Sequence, residues 1–418
     1  MVYGIKGGTP LRGTVRLQGA KNSVLPILAA SLLCTDGRVR LENCPLLEDV
    51  QLSQRILESL GCRVARKDDA LEIHTDGRIG TALDERQCAG MRSSVLFLGP
   101  LLASAGRAEL FLPGGCLLGD RPVNLHIDAL RRMGANIRLS DNKILAEAPD
   151  GLVGREIVLP FPSVGATENI MMAAALARGA TRIIGAAAEP EIEDLADFIR
   201  KMGGVVRKDG NLVEVFGVPS LHGCTKRIIP DRIAGFTYLA AALATDGRIT
   251  VQGCEFDHMR AMLDFLSLAG GAVEVRGNDI TVYRVGPCLL PVKGCMTAPY
   301  PGFPTDAGAM ALVLMSLAGG ASSLHEGVFS DRFAVVEELK KLGADITPGG
   351  ATASVRGGKL FGATVRATDL RAGAALVIAA LSAEGESTVT DSGHILRGYE
   401  RFGEILRALG AQITERNL

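Results

Sequence analysis

The sequence of 418 residues contains no tryptophan, and aromatic residues make up only 4% of it. It therefore offers few of the stacking platforms on which single-stranded nucleic acids bind. An excess of either charge is also missing, since 45 Lys and Arg oppose 46 Asp and Glu and leave a formal net charge of −1. A general nucleic-acid or anionic-membrane binder would need a basic excess. Any anion must therefore be held by a local cluster of residues.

Paired cysteine motifs and long apolar runs are absent too. Nine cysteines are scattered without a C-x-x-C pair, which argues against a disulfide framework or a zinc site and favours the reducing cytoplasm. The segment from Met1 to Gly8 lacks the apolar stretch of a secretory signal. The longest uncharged run, Ala307 to His325, is rich in Gly and Ser, so we interpret it as buried protein and predict no transmembrane helix.

The chain does contain an internal repeat. Six glycines each end an amphipathic helix and lead into a strand: Gly61, Gly134, Gly203, Gly270, Gly343 and Gly410. Six more each follow an Ala-rich apolar helix: Gly37, Gly106, Gly179, Gly247, Gly320 and Gly385. Both series recur about every 70 residues. We therefore interpret both as helix C-cap glycines in six copies of one α/β unit.

Each unit is predicted to contain a helix, a strand, an amphipathic helix and a strand, with room for one more short strand. The first helix of each unit is apolar nearly all round and must be enclosed by protein. These helices are predicted at Val24 to Leu33, Ser94 to Ala103, Ile170 to Ala177, Phe236 to Ala244, Ala309 to Ala318 and Ala374 to Ala380. The fold class is therefore α/β, with two domains of three units each.

The N-terminal residues precede the first buried helix and are expected to complete the second domain. The first domain would then be 21–229, and the second would be 1–20 plus 230–418. We predict that the chain crosses between domains near Gly19-Ala20-Lys21 and near Ile229-Pro230-Asp231, where Gly and Pro interrupt the pattern.

Polar residues occupy equivalent positions at the starts of the six buried helices. They are Lys21-Asn22, Arg92-Ser93, Ser163 to Thr167, Asp231-Arg232, Thr305-Asp306 and Asp369 to Arg371. If the three helices of a domain point the same way, their positive ends emerge together. Two such domains face to face would form a cleft that attracts a phosphorylated ligand.

An alternative explanation is that the acidic and hydroxyl members of this set are ordinary N-caps, which taken singly is the simpler interpretation; they are Asp231, Thr305, Asp306 and Asp369. The cations favour a shared anionic ligand, because a positive charge at a helix start opposes the helix dipole. Those cations are Lys21, Arg92, Arg232 and Arg371.

A glycine-rich segment from Leu112 to His126 combines several features of a closing, phosphate-binding loop. Pro122 suits the first turn of a helix whose N-terminus can take a phosphate, and Arg121 can donate two hydrogen bonds to it. Cys116 lies five residues from Arg121, so its thiol can be activated. An isolated cysteine is more often a small packed hydrophobe, but a glycine-rich loop favours a reactive one. His126 suits a structural hydrogen bond and a ligand contact equally well.

Together these residues resemble the UDP-N-acetylglucosamine enolpyruvyl transferase family over essentially the whole chain. The matching motifs are Gly19 to Asn22, Met91 to Ser94, Pro113 to Cys116, Gly119 with Arg121 to Val123, Phe161 to Asn169, Pro230 to Ile233, Phe303 to Asp306, Ala367 to Arg371 and Arg397 to Glu400. The sister family that acts on shikimate 3-phosphate shares the sixfold unit, but it differs at the Lys-Asn start and lacks a matching cysteine loop.

The resemblance implies a two-domain inside-out α/β barrel with its active site in the cleft between the domains. It implies transfer of the enolpyruvyl group of phosphoenolpyruvate to the 3-hydroxyl of UDP-N-acetylglucosamine with release of phosphate, the first committed step of peptidoglycan precursor synthesis. Small-molecule substrates are implied, with no metal, no cofactor, no nucleic acid and no membrane. Alkylation by fosfomycin is expected.

By the same resemblance, Lys21, Arg121 and Arg397 bind phosphoenolpyruvate, with Arg92 and Arg371 nearby. Cys116 delivers a proton to C3 of phosphoenolpyruvate and can add to it covalently, and Asp306 is the general base. The nucleotide-sugar site is implied to contain Asn22, Arg121, Pro122, Val123, Asn124, Leu125, Ser163, Val164, Gly165, Asp306 and Val328.

The sequence departs from the family pattern at four places: Asn124 for Asp, Ala234 for Glu, Ala307-Gly308 for Met-Gln, and Ser330-Asp331 for Glu-Asn. None removes a catalytic group. They leave two alternatives open, namely a catalytically weak paralogue that binds UDP-N-acetylglucosamine as a sensor, and an enolpyruvyl transferase for another acceptor.

Overall fold

The structure is a computed structural model that describes residues 1–75, 79–112, 123–329 and 332–416. Its α-helices in these ranges are Lys21–Ala30 (α1), Glu48–Ser59 (α2), Glu85–Gly90 (α3), Leu98–Ala105 (α4), Asn124–Arg132 (α5), Val164–Ala174 (α6), Pro190–Lys201 (α7), Arg232–Ala244 (α8), Phe256–Leu268 (α9), Gly308–Ser316 (α10), Val335–Lys341 (α11), Leu370–Ser382 (α12) and Phe402–Ala408 (α13). Short 3₁₀ helices occur at Ser31–Leu33, Arg92–Phe97, Thr305–Ala307, Arg332–Ala334 and Ile395–Arg397.

The strands of the described ranges are Val2–Lys6 (β1), Arg12–Arg16 (β2), Cys34–Asp36 (β3), Arg38–Glu42 (β4), Cys62–Lys67 (β5), Ala70–Thr75 (β6), Arg107–Phe111 (β7), Asn136–Ser140 (β8), Lys143–Glu147 (β9), Glu156–Val158 (β10), Ala180–Ile184 (β11), Val205–Asp209 (β12), Leu212–Phe216 (β13), Leu221–His222 (β14), Thr225–Arg227 (β15), Arg248–Gln252 (β16), Gly271–Arg276 (β17), Asp279–Arg284 (β18), Cys295–Met296 (β19), Ala321–His325 (β20), Asp345–Gly349 (β21), Thr352–Arg356 (β22), Thr364–Arg366 (β23), Glu386–Thr390 (β24) and Gln412–Arg416 (β25).

The chain divides into two compact units, each of which is larger than a single sequence repeat; they are called the first and the second unit below. Among the described residues, the first unit contains 19–112 and 123–229, and the second contains 1–18 and 230–416. Each unit has its own buried apolar core.

The first unit contains three sheets of one design, with strand orders β15-β4-β6-β5, β10-β11-β13-β12 and β7-β9-β8. In each sheet an antiparallel hairpin pairs with the strand that follows a buried helix. A short parallel pair, β3 with β14, stands apart from them.

The second unit repeats the design in sheets β17-β18-β16-β2, β19-β20-β22-β21 and β23-β24-β1-β25. Two of these strands come from the N-terminus. β1 lies between β24 and β25 and is antiparallel to both, and β2 runs parallel to β16 at the edge of its sheet. The first 18 residues therefore supply strands to two of the three sheets.

The predicted apolar helices are present and buried. They are α1, α4 and α6 in the first unit and α8, α10 and α12 in the second. Five predicted starts were wrong. The helices predicted from Val24, Phe236 and Ala374 begin three or four residues earlier, at Lys21, Arg232 and Leu370. The helix predicted from Ile170 begins at Val164, because Ser163 caps it through its side chain. The helix predicted from Ser94 begins with the 3₁₀ turn Arg92–Phe97 and becomes α-helical at Leu98.

The two glycine series differ in the structure. All six glycines of the first series are left-handed, with φ between 91° and 102°, as expected of residues that end helices. In the second series only Gly106 is a helix C-cap, so the prediction for that series was wrong. Gly37 follows strand β3 instead. At Gly247 an added Cβ would lie 1.9 Å from the carbonyl oxygen of Leu11, so close backbone approach explains that glycine.

Within the described residues, no helix combines the length and apolar character that crossing a membrane requires.

Candidate functional site

Lys21, the first cation predicted from the sequence, is the first residue of α1. Its Nζ lies 2.7 Å from Oδ2 of Asp49 in the first turn of α2, and the two side chains are only 12% and 4% exposed. A lysine at a helix start opposes the positive end of the helix dipole, so the Asp49 carboxylate offsets a locally unfavourable charge. Asn22 is exposed on the next residue of α1.

Three predicted site segments of the first unit meet at the ring of His126. This histidine is the third residue of α5, directly after Val123, Asn124 and Leu125. Arg92, at the start of its 3₁₀ helix, is close enough for its charge to act on the ring. The first turn of α6 is close as well, since a Cβ added to Gly165 would be 3.2 Å from His126 Cε1.

His126 is neutral and held in one orientation. Burial, and then the charge of Arg92, lowers the pKa of His126 to about 4. Asn169 accepts a hydrogen bond from the Gly99 N–H at Oδ1 (2.6 Å), so its Nδ2 donates to Val95 O (2.8 Å) and to His126 Nδ1 (2.9 Å). The ring therefore accepts at Nδ1 and carries its proton on Nε2.

The start of α6 is fixed by side-chain capping. Ser163 is the N-cap and accepts a hydrogen bond from Ala166 N at 3.4 Å. Thr167 Oγ1 donates to Ser163 O at 2.8 Å and accepts from Ala187 N at 3.0 Å. Ser163, Val164 and Gly165 are all partly exposed, so this turn can present polar groups to a ligand.

In the second unit, the carboxylate of Asp306 lies between two arginines. Its Oδ1 is 2.6 Å from Arg332 Nη2, and its Oδ2 is 3.2 Å from both Nε and Nη2 of Arg371. The Arg332 and Arg371 side chains are only 10% and 6% exposed, whereas that of Asp306 is 24% exposed. The carboxylate is thus oriented by two charge-assisted contacts while part of it stays accessible.

The same contacts bring the starts of the second unit's buried helices together. Asp306 lies just before α10, and Arg371 is the second residue of α12. Burial opposes the charge of Arg371, but Asp306, then Tyr399 and Asp231, outweigh it and raise the pKa of its guanidinium. Because Asp231 caps α8, all three helix starts contribute to one electrostatic cluster, as predicted within this unit.

The N-cap interpretation holds for part of the acidic set. Asp231 accepts from Ile233 N and Ala234 N, and Asp369 accepts from Arg371 N and Ala372 N. It was wrong for Thr305 and Asp306, which lie inside the 3₁₀ helix Thr305–Ala307. The Asp306 side chain instead makes the contacts with Arg332 and Arg371 described above.

The remaining predicted residues occupy short turns or lie outside the described ranges. Arg397 is the last residue of the 3₁₀ helix Ile395–Arg397 and is partly exposed, as is Val328 after β20. Cys116, Arg121 and Pro122 lie outside the described residues. In the ranges that are described, no cluster of His, Cys, Asp or Glu side chains is arranged to hold a metal ion.

The family model of EPSP synthase (3-phosphoshikimate 1-carboxyvinyltransferase) matches residues 5–406. The chain belongs to this family. It is 46% identical over 413 residues to the UDP-N-acetylglucosamine 1-carboxyvinyltransferase of Granulibacter bethesdensis, covering 98% of each chain. It is 43% identical over 415 residues to the protein of that name from Lawsonia intracellularis, covering 99% of each chain.

Solved structures agree with the family assignment. The enolpyruvyl transferase NikO from Streptomyces tendae matches with a TM-score of 0.90 and 25% identity, over 99% of this chain and 98% of that one. EPSP synthase from Acinetobacter baumannii matches with a TM-score of 0.75 at 18% identity, over 99% of this chain and 100% of that one, and shows the fold alone. The α/β fold class predicted from the six repeats is confirmed.

Sequence reasoning missed three side chains that the structure places beside predicted site residues: Asp49, Glu326 and Arg332. Asp49 carried a weak signal as an acidic residue in a helix first turn. Glu326 directly follows a strand, and Arg332 stood in a stretch noted only for its departures from the family. The partners of Asp49 and Arg332 are remote in sequence, and so are Thr297 and Thr305, the hydroxyl partners of Glu326. Spacing alone could therefore not reveal these contacts.

Proposed function

We propose that this protein transfers the enolpyruvyl group of phosphoenolpyruvate to the 3-hydroxyl of UDP-N-acetylglucosamine and releases phosphate, in the first committed step of peptidoglycan precursor synthesis. The observation that carries the proposal is full-length identity of 43–46% to proteins named UDP-N-acetylglucosamine 1-carboxyvinyltransferase. The oriented Asp306 carboxylate and the partly buried cation Lys21 supply chemistry that this reaction needs.

Phosphoenolpyruvate carries a phosphate and a carboxylate, so its site needs several cations. We assign Lys21, Arg121 and Arg397 to it, with Arg92 and Arg371 as neighbouring charges. Fixed cations would also stabilise the negative charge of the tetrahedral intermediate, because they need no reorganisation as the reaction proceeds.

The reaction proceeds by addition and elimination. In the addition, the sugar 3-hydroxyl oxygen bonds to C2 of phosphoenolpyruvate, its proton passes to Asp306, and Cys116 donates a proton to C3. In the elimination, the bond between C2 and the phosphate oxygen breaks, C3 returns a proton to the Cys116 thiolate, and the C2=C3 double bond forms again. Alternatively, the S–H bond of Cys116 can add across the C2=C3 double bond, which places the sulfur on C2 and the proton on C3.

The second substrate is the nucleotide sugar. We assign to its site Asn22, Arg121, Pro122, Val123, Asn124, Leu125, Ser163, Val164, Gly165, Asp306 and Val328. Neutral His126 would support this site from behind, because it packs against Gly165 without adding charge.

We propose a cytoplasmic location. Among the described residues no disulfide joins the cysteines, and most of them are buried. Thiols that form no disulfide fit a reducing compartment. The proposed partners are the two small-molecule substrates.

Phosphate release from the purified protein tests the proposed function. Phosphoenolpyruvate and UDP-N-acetylglucosamine together should yield phosphate, whereas either substrate alone should not. Asp306→Asn should slow release by about 100-fold or more, as expected for loss of a general base. Asp345→Asn is the matched control, because Asp345 is 66% exposed and should leave the rate unchanged.

Fosfomycin tests the role of Cys116 in the same assay. Fosfomycin should abolish phosphate release and add its mass to the wild-type protein, and Cys116→Ser should take up no fosfomycin. Cys288→Ser is the control, since Cys288 is exposed and unpaired, and it should be alkylated as fully as the wild type. Alkylation that persists in Cys116→Ser would contradict the assignment.

The same assay separates the alternatives. Release with shikimate 3-phosphate or another UDP-sugar, but not with UDP-N-acetylglucosamine, would indicate a different acceptor. Binding of UDP-N-acetylglucosamine without any turnover would indicate a sensor.

A further inference from the structure

Two buried carboxylates occupy the same position in consecutive repeats of the second unit. Glu326 is the first residue after β20, and Asp391 is the first residue after β24. Each strand lies between a short parallel strand and an antiparallel one. The two residues are only 5% and 1% exposed. Burying a carboxylate is costly unless its oxygens are hydrogen-bonded, so their partners indicate what each one does.

Glu326 joins the general-base segment to the loop that carries Val328. Its Oε1 accepts from Val328 N at 2.9 Å, Phe329 N at 3.1 Å and the Thr297 hydroxyl at 2.6 Å. Its Oε2 accepts from the hydroxyl of Thr305 at 2.9 Å. Thr305 immediately precedes Asp306 in the chain, so one carboxylate fixes both segments.

Glu326 also reaches Asp306 by a second route. Glu326 accepts a hydrogen bond from the backbone N–H of Phe329. The ring of Phe329 lies 5.3 Å from the guanidinium carbon of Arg332. Arg332 in turn contacts Oδ1 of Asp306 at 2.6 Å. If the Glu326 side chain rotated away, its hydrogen bond to Thr305 would be lost, and Phe329 would no longer be held beside Arg332. Asp306 would then lose positioning from both neighbours.

Asp391 performs the equivalent task for the turn that ends at Arg397. Its Oδ1 accepts from His394 N at 2.8 Å and its Oδ2 from Ile395 N at 3.1 Å. These two amides open the 3₁₀ helix Ile395–Arg397. Asp391 also exchanges two hydrogen bonds with Met1, the residue before β1: Asp391 N donates to Met1 O at 2.9 Å, and Met1 N donates to Asp391 O at 2.8 Å.

We propose that Glu326 and Asp391 are positioning residues, each of which orients side chains for a different substrate. Glu326 orients Asp306 and Val328 for the nucleotide sugar, and Asp391 orients Arg397 for phosphoenolpyruvate. The inference rests on the proposed function and adds to it a division of labour between two equivalent positions of the repeat. Neither carboxylate contacts a substrate in this scheme.

Steady-state kinetics with both substrates varied test the proposal. Glu326→Leu should lower kcat and raise KM for UDP-N-acetylglucosamine, with a combined loss of about 30-fold in kcat/KM, because charge-assisted hydrogen bonds are lost. Its KM for phosphoenolpyruvate should stay within about twofold of wild type. Asp391→Leu should show the reverse pattern.

Milder variants keep the test informative if a leucine variant folds poorly. Glu326→Gln retains one oxygen for the Val328 and Phe329 amides and can donate an N–H to the Thr305 hydroxyl, so it should stay within about threefold of wild type. Thr305→Val removes a single contact and should lower kcat by about five- to tenfold.

Two serines provide matched structural controls. Ser322 on β20 and Ser387 on β24 are the second residues of their strands, are buried, and each accepts one backbone N–H, at 3.0 and 3.3 Å. Ser322→Ala and Ser387→Ala should lower Tm without changing either KM. Leucine variants that lower only Tm, or that change both KM values equally, would overturn the proposal.

Calorimetric titration separates this proposal from the proposed function. If the wild type binds UDP-N-acetylglucosamine but does not turn over, only the proposed function fails, and Glu326→Leu should still weaken that binding about tenfold. Unchanged binding would overturn the positioning role. A wild type that neither binds nor turns over either substrate would overturn both.

Discussion

At the scale of single residues, partly and fully buried titratable groups are stabilised in two ways. Lys21 and Asp306 stay in contact with opposite charges, Asp49 for the first and Arg332 with Arg371 for the second. His126 is instead buried as a neutral ring, since burial and the charge of Arg92 lower its pKa to about 4. The opposite charges offset the cost of burying Lys21 and Asp306 in part, whereas His126 avoids that cost by staying neutral.

Glu168 on α6 is buried in the manner of His126. The residue is 3% exposed, and its Oε1 has no hydrogen-bond partner. Burial, then the charges of Glu191 and Glu189, raises the pKa of Glu168 well above its usual value. The folded state therefore prefers the protonated acid. The contribution of Glu168 to stability is therefore fully present below the unfolded-state pKa of about 4.3 and is lost as pH rises through the folded-state pKa.

Glu168→Gln should therefore become more stable relative to wild type as pH rises. Glutamine resembles the protonated acid and cannot ionise. The Tm of the variant minus the Tm of wild type should therefore be about 1–3 °C larger at pH 8 than at pH 5. Thermal unfolding across this range measures the difference. Glu337→Gln is the control, because Glu337 is 71% exposed. A difference that stays constant or falls with rising pH would contradict the raised pKa.

The sequence predicted the charged residues at helix starts because helix position can be inferred locally from periodicity. Lys21, Arg371 and Asp231 lie at helix starts as expected. Asp49 and Glu326 were not predicted, since each acquires its role from a partner brought close by the fold. Glu326 meets Thr297 across 29 residues, and no local pattern encodes that contact.

At the scale of elements, the sequence repeat predicted the order of helices and strands better than it predicted the residues at which they begin and end. Twelve glycines share one period, yet only the first series is uniformly left-handed. Gly247 is required by the nearby Leu11 carbonyl, which lies in a distant segment. Periodicity therefore identifies that a glycine is needed, whereas tertiary packing decides whether conformation or space requires it.

Gly134→Ala isolates the conformational requirement. Gly134 has φ of +102°, and an added Cβ would meet no atom within 4 Å. The substitution should lower the free energy of unfolding by about 1 kcal/mol through backbone strain alone. Urea denaturation measures it.

Gly358→Ala is the matched control for Gly134→Ala. Its added Cβ is also unobstructed, but its φ lies outside the left-handed region, so the change should be neutral or slightly stabilising. Equal destabilisation by both substitutions would show that strain at Gly134 is not the cause.

At the scale of the whole molecule, the chain order and the folded units do not coincide. The first unit is one continuous stretch, 19–229, apart from residues outside the described ranges. The second unit needs both ends of the chain, because β1 is an inner strand between β24 and β25. Its sheet cannot be complete until β25 meets β1, which lies at the other end of the sequence.

Fragments of the chain should therefore behave unequally. Fragment 19–229 contains every strand of its sheets among the described residues, so it should fold alone. Fragment 230–418 lacks β1 and β2 and should remain largely unfolded, because β24 and β25 lose their shared partner and expose strand edges. Far-UV circular dichroism and cooperative thermal unfolding measure both outcomes.

Joining the N-terminal residues to the other end of the second unit should restore its fold. Val2 is paired with Arg416 in the antiparallel ladder, so a short Gly-Ser linker from residue 418 to Met1 suffices to close a hairpin. The permuted fragment 230–418 followed by 1–18 should unfold cooperatively. Tyr3→Asp with Ile5→Asp in that fragment is the control, since both side chains are buried and the charges should prevent docking of β1. Cooperative unfolding of 230–418 without residues 1–18 would show that β1 is dispensable.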